Sequence, residues 1–209
     1  YGADTLRMYE MFLGPLEQSK PWDTKGINGV HNFLKKFWRL THNNENNLNI
    51  SQEKPTEKEY KSLHKCIKKT TDDLKRFSFN TVVSALMICV NELTELKCNK
   101  KEIIEAYLIL LSPYAPYISE EIWSALGNSS SINNATWPKL NKKYLLEESI
   151  KYPVSFNGKM RFILELPVDL SKNEIQKLVL KYPKTNNYLT NNSFKKIIIV
   201  PNKIINIVL

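Results

Sequence analysis

The hydrophobic period of the chain changes once, after Trp137-Pro138, and this change constrains the fold more than any other feature. Before it, apolar side chains recur at helical spacing, as in residues 30–38 (VHNFLKKFW). After it, they alternate along the chain, as in residues 160–166 (MRFILEL). A period near 3.6 residues predicts a helix, and a period of two predicts a strand. We therefore expect a helical region followed by a smaller region that contains a sheet.

The expected fold class is mainly α: an antiparallel helix bundle followed by a small α+β domain with the order ββαββ. Capping-box sequences at 56–59 and 171–174 mark two helix starts. Asn99 is expected to cap another helix. β-branched runs at 196–200 and 204–209 predict the last two strands. The second run ends on the apolar residues 207–209, which is typical of a carboxyl terminus tied into a sheet.

The tail begins with a hairpin around Asn157-Gly158. A two-residue turn puts Val154 on the opposite face from Met160 and Phe162. An odd-numbered loop with a left-handed glycine places all three on one apolar face, and we expect that loop. Lys159 and Arg161, the two basic residues that begin the second strand, then project from the opposite face, where a phosphate can approach.

The positive charge is concentrated in the tail. The 209 residues carry a formal charge of +9, but from Ile150 onward ten basic residues stand against only three acidic ones. A small domain with this density of positive charge attracts polyanions such as nucleic acids. A compositional bias of the source without a functional role is the alternative explanation.

Several kinds of chemistry have no support in the sequence. It contains no Gly-rich phosphate loop, no Gly-x-Ser-x-Gly and no histidine pair at metal-ligand spacing. The three cysteines have no partner two to four positions away, so no disulfide framework or zinc site is indicated. No apolar stretch is long enough to span a membrane, and residues 1–7 lack the basic-then-apolar order that is typical of a signal peptide. We expect no catalytic residue, no metal and no membrane contact.

A set of collinear motifs is similar to those of bacterial leucyl-tRNA synthetases, which are class I aminoacyl-tRNA synthetases. The motifs are YGADTLR at 1–7, SKPW at 19–22, GVH at 29–31, FNT at 79–81, VNEL at 90–93, LLSPYAP at 110–116, EEIW at 120–123, NGK at 157–159 and VPNKIINIV at 200–208. Several of them recur in other class I synthetases. Their order over nearly the whole chain is specific to the leucyl enzyme.

The resemblance implies the C-terminal portion of an enzyme that attaches leucine to tRNA(Leu) with ATP and Mg²⁺. It implies a connector at 1–25, a helical domain of the anticodon-binding type at 26–143 and a C-terminal tRNA-binding domain at 144–209. The catalytic and editing domains would precede residue 1, so this portion would use no cofactor and would dock the elbow and variable-arm side of the tRNA. Such an enzyme is expected to be cytoplasmic and monomeric.

The resemblance also assigns candidate tRNA-binding residues. The candidates in the tail are Asn157, Gly158, Lys159 and Arg161, followed by Lys195, Lys196 and Lys203; those on the helical domain are His31, Lys35, Lys36 and Arg39. Asn32 departs from the arginine common in the family, Tyr117 from a histidine, and Phe162 from a polar residue. Trp22 and Trp137 are expected to pack, with base stacking as the alternative.

Two alternative functions remain open. The first alternative is the equivalent part of another class I synthetase for a branched amino acid. The second is a structural or protein-interaction module whose basic tail only aids solubility.

Overall fold

The structure is a computed structural model that describes residues 1–20, 23, 25–146, 149–189, 194–201 and 203–209. The expectation for Trp22 lies outside these residues. The described chain divides into two compact units, Tyr1–Leu145 and Leu146–Leu209. Each unit buries a hydrophobic cluster of its own.

Unit 1 is built from helices. They are α1 (Ala3–Phe12), α2 (Ile27–Thr41), α3 (Glu57–Leu74), α4 (Phe79–Glu95), α5 (Lys101–Leu111) and α6 (Pro116–Ala125), followed by 3₁₀ turns at Ile132–Asn134 and Lys142–Leu145. Helix α4 packs against α1, α2 and α3, and α5 packs against α3 and α6. The α4 side chains Val82, Leu86, Val90 and Leu93 are fully buried. Helix α4 therefore lies at the centre of the unit.

Local sequence explains where the helices of unit 1 begin. The predicted capping box is confirmed at α3: the Thr56 hydroxyl accepts from the Glu59 amide at 3.3 Å, and the Glu59 carboxylate accepts from the Thr56 amide at 2.6 Å. The prediction for Asn99 is wrong, because α5 begins after Lys100 without a side-chain cap. The Asn99 carbonyl instead accepts from the Ser51 amide at 2.8 Å, which ties this segment to the loop before α3.

Unit 2 is a sheet covered by helices. Its elements are β1 (Ser149–Phe156), β2 (Lys159–Pro167), α7 (Lys172–Lys181), α8 (Pro183–Asn186), β3 (Lys196–Val200) and β4 (Ile204–Val208). The strand order is β2-β1-β4-β3. Strands β1 and β4 are parallel, whereas the two hairpins are antiparallel. The central parallel pair therefore brings the second hairpin beside the first.

The predicted fold class is wrong. The chain is not a mainly α antiparallel bundle with a ββαββ tail: it is α+β, with eight α-helices among the described residues and a four-stranded mixed sheet. Long helices give strong periodic signals, so the sequence pattern favoured a mainly helical class. The sheet nevertheless buries a hydrophobic cluster of its own, so it contributes to the fold class as much as the helices do. Helix α8 has only four residues, too few to show a period.

Candidate nucleic-acid interface

The turn between β1 and β2 contains two residues. Asn157 has φ 47° and Gly158 has φ 79°, and the register pairs Phe156 with Lys159. Two successive left-handed residues of the type Asn-Gly define the tight turn whose twist fits a hairpin. The expected odd-numbered loop is therefore wrong.

A β-bulge restores the apolar register that the odd-numbered loop was meant to explain. Val154 pairs with Phe162, but the next residue, Ser155, pairs with Met160, so Arg161 is the extra residue of β2. Val154 and Phe162 consequently share the buried face, as predicted. Met160 does not join them: its side chain is 58% exposed.

The tip of this hairpin is tied to β4 by two asparagines. The Gly158 amide donates to Asn206 Oδ1 at 3.0 Å, and the Leu209 amide donates to Asn157 Oδ1 at 3.0 Å. The Asn157 amide also donates to the Ile207 carbonyl at 2.9 Å. Asn157 and Gly158, both predicted to contact tRNA, thus shape and anchor the tip. Sequence reasoning missed Asn206, since a lone asparagine in a strand gives no signal.

Lys159 and Arg161 are exposed cations beside the anchored tip. The Arg161 guanidinium lies over the Tyr188 ring, 5.2 Å from its centroid, and Tyr188 contacts the Phe156 ring at 5.0 Å. Because direct cross-strand partners share a face, Lys159 lies on the side of buried Phe156. The expectation that both cations project from the opposite face is wrong. Neither forms an ion pair with a carboxylate among the described residues.

Two further predicted lysines lie at the same end of the sheet. The Lys195 amide donates to the Val208 carbonyl at 2.8 Å, and Lys196 pairs with Val208 in the register of β3 and β4. Since Phe156 pairs with Ile207, this end also carries the tip of the first hairpin. Three strand spacings, about 14 Å, separate the outer strands. We call Lys159, Arg161, Lys195 and Lys196 the basic end.

Lys203 is not part of the basic end. It lies in the turn between β3 and β4, where its amide donates to the Val200 carbonyl at 3.1 Å. That turn is at the opposite end of both strands. The structure therefore separates Lys203 from the lysines with which it was grouped.

The basic residues of α2 lie along two different depressions of unit 1. His31 and Lys35 line a cavity together with Tyr1 and Trp38, whereas Lys36 and Arg39 line a separate groove. Lys36 Nζ donates to Asn91 Oδ1 at 2.6 Å. The α2 candidates thus do not form one continuous surface.

His31 is held against α1. Its ring meets the Tyr1 ring edge-on at 5.2 Å between centroids, and its Nδ1 lies 3.4 Å from the Thr5 hydroxyl. Desolvation lowers the pKa of His31, and the Lys35 ammonium lowers it further. The neutral imidazole is therefore favoured, which limits its contribution to phosphate neutralisation.

Trp137 packs on the core of unit 1, and its indole N–H donates to the Thr71 hydroxyl at 3.0 Å.

Within the described ranges, no group of three His, Cys, Asp or Glu side chains is placed to hold a metal ion. None of the helices in the part of the chain that the structure describes is both long and apolar enough to cross a membrane.

Comparison with known proteins shows the class of protein. The family model for the anticodon-binding domain of tRNA ligase matches residues 57–177, more than half of the chain. The chain belongs to this family.

Two similar proteins are both leucine–tRNA ligases, and they confirm the resemblance that the sequence motifs indicated. Over its whole length the chain is 56% identical to the leucine–tRNA ligase of Parabacteroides distasonis and 57% identical to that of Christiangramia forsetii. It spans only 22% of the length of each. A solved structure that is similar is the LeuRS of Agrobacterium radiobacter, in a crystal structure of the ternary complex LeuRS–tRNA–LeuAMS. The TM-score is 0.71 and the sequence identity is 30%. The match covers all of this chain and 29% of the LeuRS chain.

Proposed function

We propose that this chain is the tRNA-docking C-terminal portion of a leucine–tRNA ligase. The observation that carries the proposal is the similarity to leucine–tRNA ligases along the entire chain, at more than 50% identity. The basic end supports it, because four cations without carboxylate partners among the described residues are suited to bind phosphate groups.

The proposed mechanism is docking by phosphate neutralisation and shape. Arg161 is held by Tyr188, so its planar guanidinium is oriented before a phosphate arrives. The tip is fixed by Asn157 and Asn206, so its position on the sheet is preset. Backbone contacts of this kind position an RNA without reading its bases.

ATP and Mg²⁺ would act elsewhere in such a ligase. The sequence contains no Gly-rich loop of the kind that cradles the phosphates of ATP, which supports this part of the proposal. Leucine activation and transfer to tRNA(Leu) would belong to the catalytic and editing domains, with which this portion would share one cytoplasmic, monomeric enzyme. Light scattering would test the monomeric state.

The decisive test is binding of tRNA to paired variants of the chain. Lys159→Ala with Arg161→Ala should weaken binding of tRNA(Leu), because it removes two phosphate contacts. Lys172→Ala with Lys177→Ala removes the same charge from exposed positions of α7 and should change binding less. Equal losses in both pairs would support a general charge effect, and no salt-dependent binding at all would favour a structural or protein-interaction module.

Comparing tRNAs with long and short variable arms tests the assignment to leucine. A leucyl enzyme is expected to favour the long-armed tRNA(Leu). A preference for a short-armed isoleucine or valine tRNA would instead support the part of another branched-chain synthetase.

A further inference from the structure

The hairpin tip of unit 2 contains an asparagine followed directly by a glycine. Asn157 and Gly158 are both exposed. In such a pair the glycine amide nitrogen can attack the asparagine side-chain carbonyl, because glycine has no Cβ to hinder the approach. Within the described part of the chain, no atom beyond the two adjacent residues lies within 4 Å of where a Cβ of Gly158 would stand. The chemistry open to this pair is deamidation of Asn157.

Deamidation needs only water as a co-reactant. The Gly158 nitrogen loses its proton to solvent base and bonds to Asn157 Cγ, while the Cγ–Nδ2 bond breaks and ammonia leaves. A cyclic imide remains, and water then opens it. Cleavage at Cγ gives aspartate, whereas cleavage at the backbone carbonyl gives isoaspartate, in which the main chain runs through Cγ.

The folded tip opposes the first step of this reaction. The Gly158 amide donates to Asn206 Oδ1 at 3.0 Å, so the proton that must leave is shielded from solvent base. The Asn157 side chain is held by the Leu209 amide, which donates to its Oδ1 at 3.0 Å. Both reacting groups are thus engaged by the last strand or by the residue after it. Attack therefore requires a local opening that breaks both hydrogen bonds.

A second Asn-Gly pair, Asn28-Gly29, lies in a different setting. It belongs to the first turn of α2, where the Gly29 amide donates to the Gly26 carbonyl at 3.1 Å. Asn28 Oδ1 accepts from the Tyr1 hydroxyl at 2.7 Å, and the next residue, Val30, is fully buried. Opening at this pair requires unwinding of a helix that packs on the core, whereas a hairpin tip opens more readily. The chain therefore contains its own comparison.

We infer that Asn157 is a deamidation site whose reactivity is restrained by Asn206 and by the Leu209 amide. The reaction converts a neutral side chain into an anion beside Lys159 and Arg161. Isoaspartate also lengthens the backbone of a turn that holds only two residues between Phe156 and Lys159, so the product loses the register of β1 and β2 at the tip. This chemistry is independent of any ligand of the basic end.

Incubation of the chain at mildly alkaline pH, followed by peptide mapping with mass spectrometry, measures the rate at both asparagines. In guanidinium chloride, which releases both pairs, Asn157 and Asn28 should deamidate at similar rates. In the folded chain, Asn157 should react more slowly than in denaturant and faster than Asn28. Asn206→Ala removes one hydrogen bond and should raise the Asn157 rate roughly two- to tenfold, the factor that a net hydrogen bond represents. The rate at Asn28 should stay the same.

A second pair of variants tests the other hydrogen bond. Leu209→Pro should also raise the Asn157 rate, because proline has no N–H to donate. Leu209→Ala is the matched control, since it loses the leucine side chain but keeps the N–H. Hydrogen exchange of amides in the interior of β1 and β2 shows whether these strands stay folded in each variant.

Several results would overturn the assignment. A rate at Asn157 that is equal in the folded and the denatured chain would show that the tip is not restrained. If Asn157 stays intact in both Asn206→Ala and Leu209→Pro while it reacts in denaturant, the opened tip is not the reactive state. Equal rates in Leu209→Pro and Leu209→Ala would remove the role of the amide. Faster deamidation matched by faster exchange throughout β1 and β2 would assign the effect to unfolding of unit 2.

Discussion

Asp73, in the last turn of α3, is a buried carboxylate whose removal should destabilise unit 1. Its side chain is 1% exposed, and it accepts from Lys69 Nζ at 2.6 Å and from Arg76 Nη2 at 2.7 Å. It also accepts from the hydroxyl of Thr81 in α4. One carboxylate therefore joins the end of α3 to the beginning of the central helix.

The size of the effect follows from these partners. Asp73→Asn keeps the shape but removes the charge and points an amide donor at groups that themselves donate. Hydrogen bonds to a charged group contribute about 1.5–3 kcal/mol. The Lys69 and Arg76 side chains are 51% and 65% exposed, so both cations recover water when the carboxylate is lost. We expect the free energy of unfolding to fall by about 2 kcal/mol at pH 7.

The same site predicts a pH dependence. Burial raises the pKa of Asp73, but hydrogen bonds from Lys69, Thr81 and Arg76 outweigh it and hold the pKa below its ordinary value of 3.8. A lowered folded-state pKa means that the stabilisation is complete above about pH 4 and is lost as the pH falls through the folded value. The difference between the unmodified chain and Asp73→Asn should therefore shrink below pH 3.8.

Urea unfolding followed by tryptophan fluorescence measures this effect in unit 1, since all four tryptophans precede residue 146. Asp72→Asn is the matched control, because Asp72 and its partner Lys68 are both about half exposed, and its replacement should change stability little. Equal effects of the two substitutions, or an undiminished difference at pH 3, would refute the reasoning.

Two further predictions concern unit 2. Gly158→Ala should destabilise the first hairpin by about 1 kcal/mol, because the position has open space but a φ of 79°; faster hydrogen exchange of β1 and β2 amides would reveal it. Tyr188→Leu should lower tRNA affinity two- to fivefold by releasing Arg161, whereas Tyr188→Phe should not, since it keeps the ring under the guanidinium. Equal affinities of the leucine and phenylalanine variants in a binding titration would contradict this role of the ring.

Sequence patterns identified the elements that depend on local signals. Both capping boxes, at Thr56 and Ser171, are present because they need only residues three positions apart. The strand pairs of both hairpins also formed as their alternation indicated. The parallel pairing of β1 with β4 was not predictable in this way, since it joins segments about fifty residues apart.

The candidate site shows the same limit. Sequence reasoning found the cations of the basic end, but it could not place Lys203 at the far end of the sheet or Tyr188 under Arg161. The bulge at Arg161 was missed because Met160 is apolar although it is exposed, so the sequence alternates without a break across the extra residue.

Docking of tRNA by the basic end is the central claim, and the salt dependence of tRNA(Leu) binding tests it most directly. The measurement compares the unmodified chain with a variant in which Lys159, Arg161, Lys195 and Lys196 are all replaced by Gln. At about 0.7–0.9 per phosphate contact, the slope of log K against log salt should become shallower by about 3. An unchanged slope and affinity would contradict the claim, because the basic end would then contribute no phosphate contact.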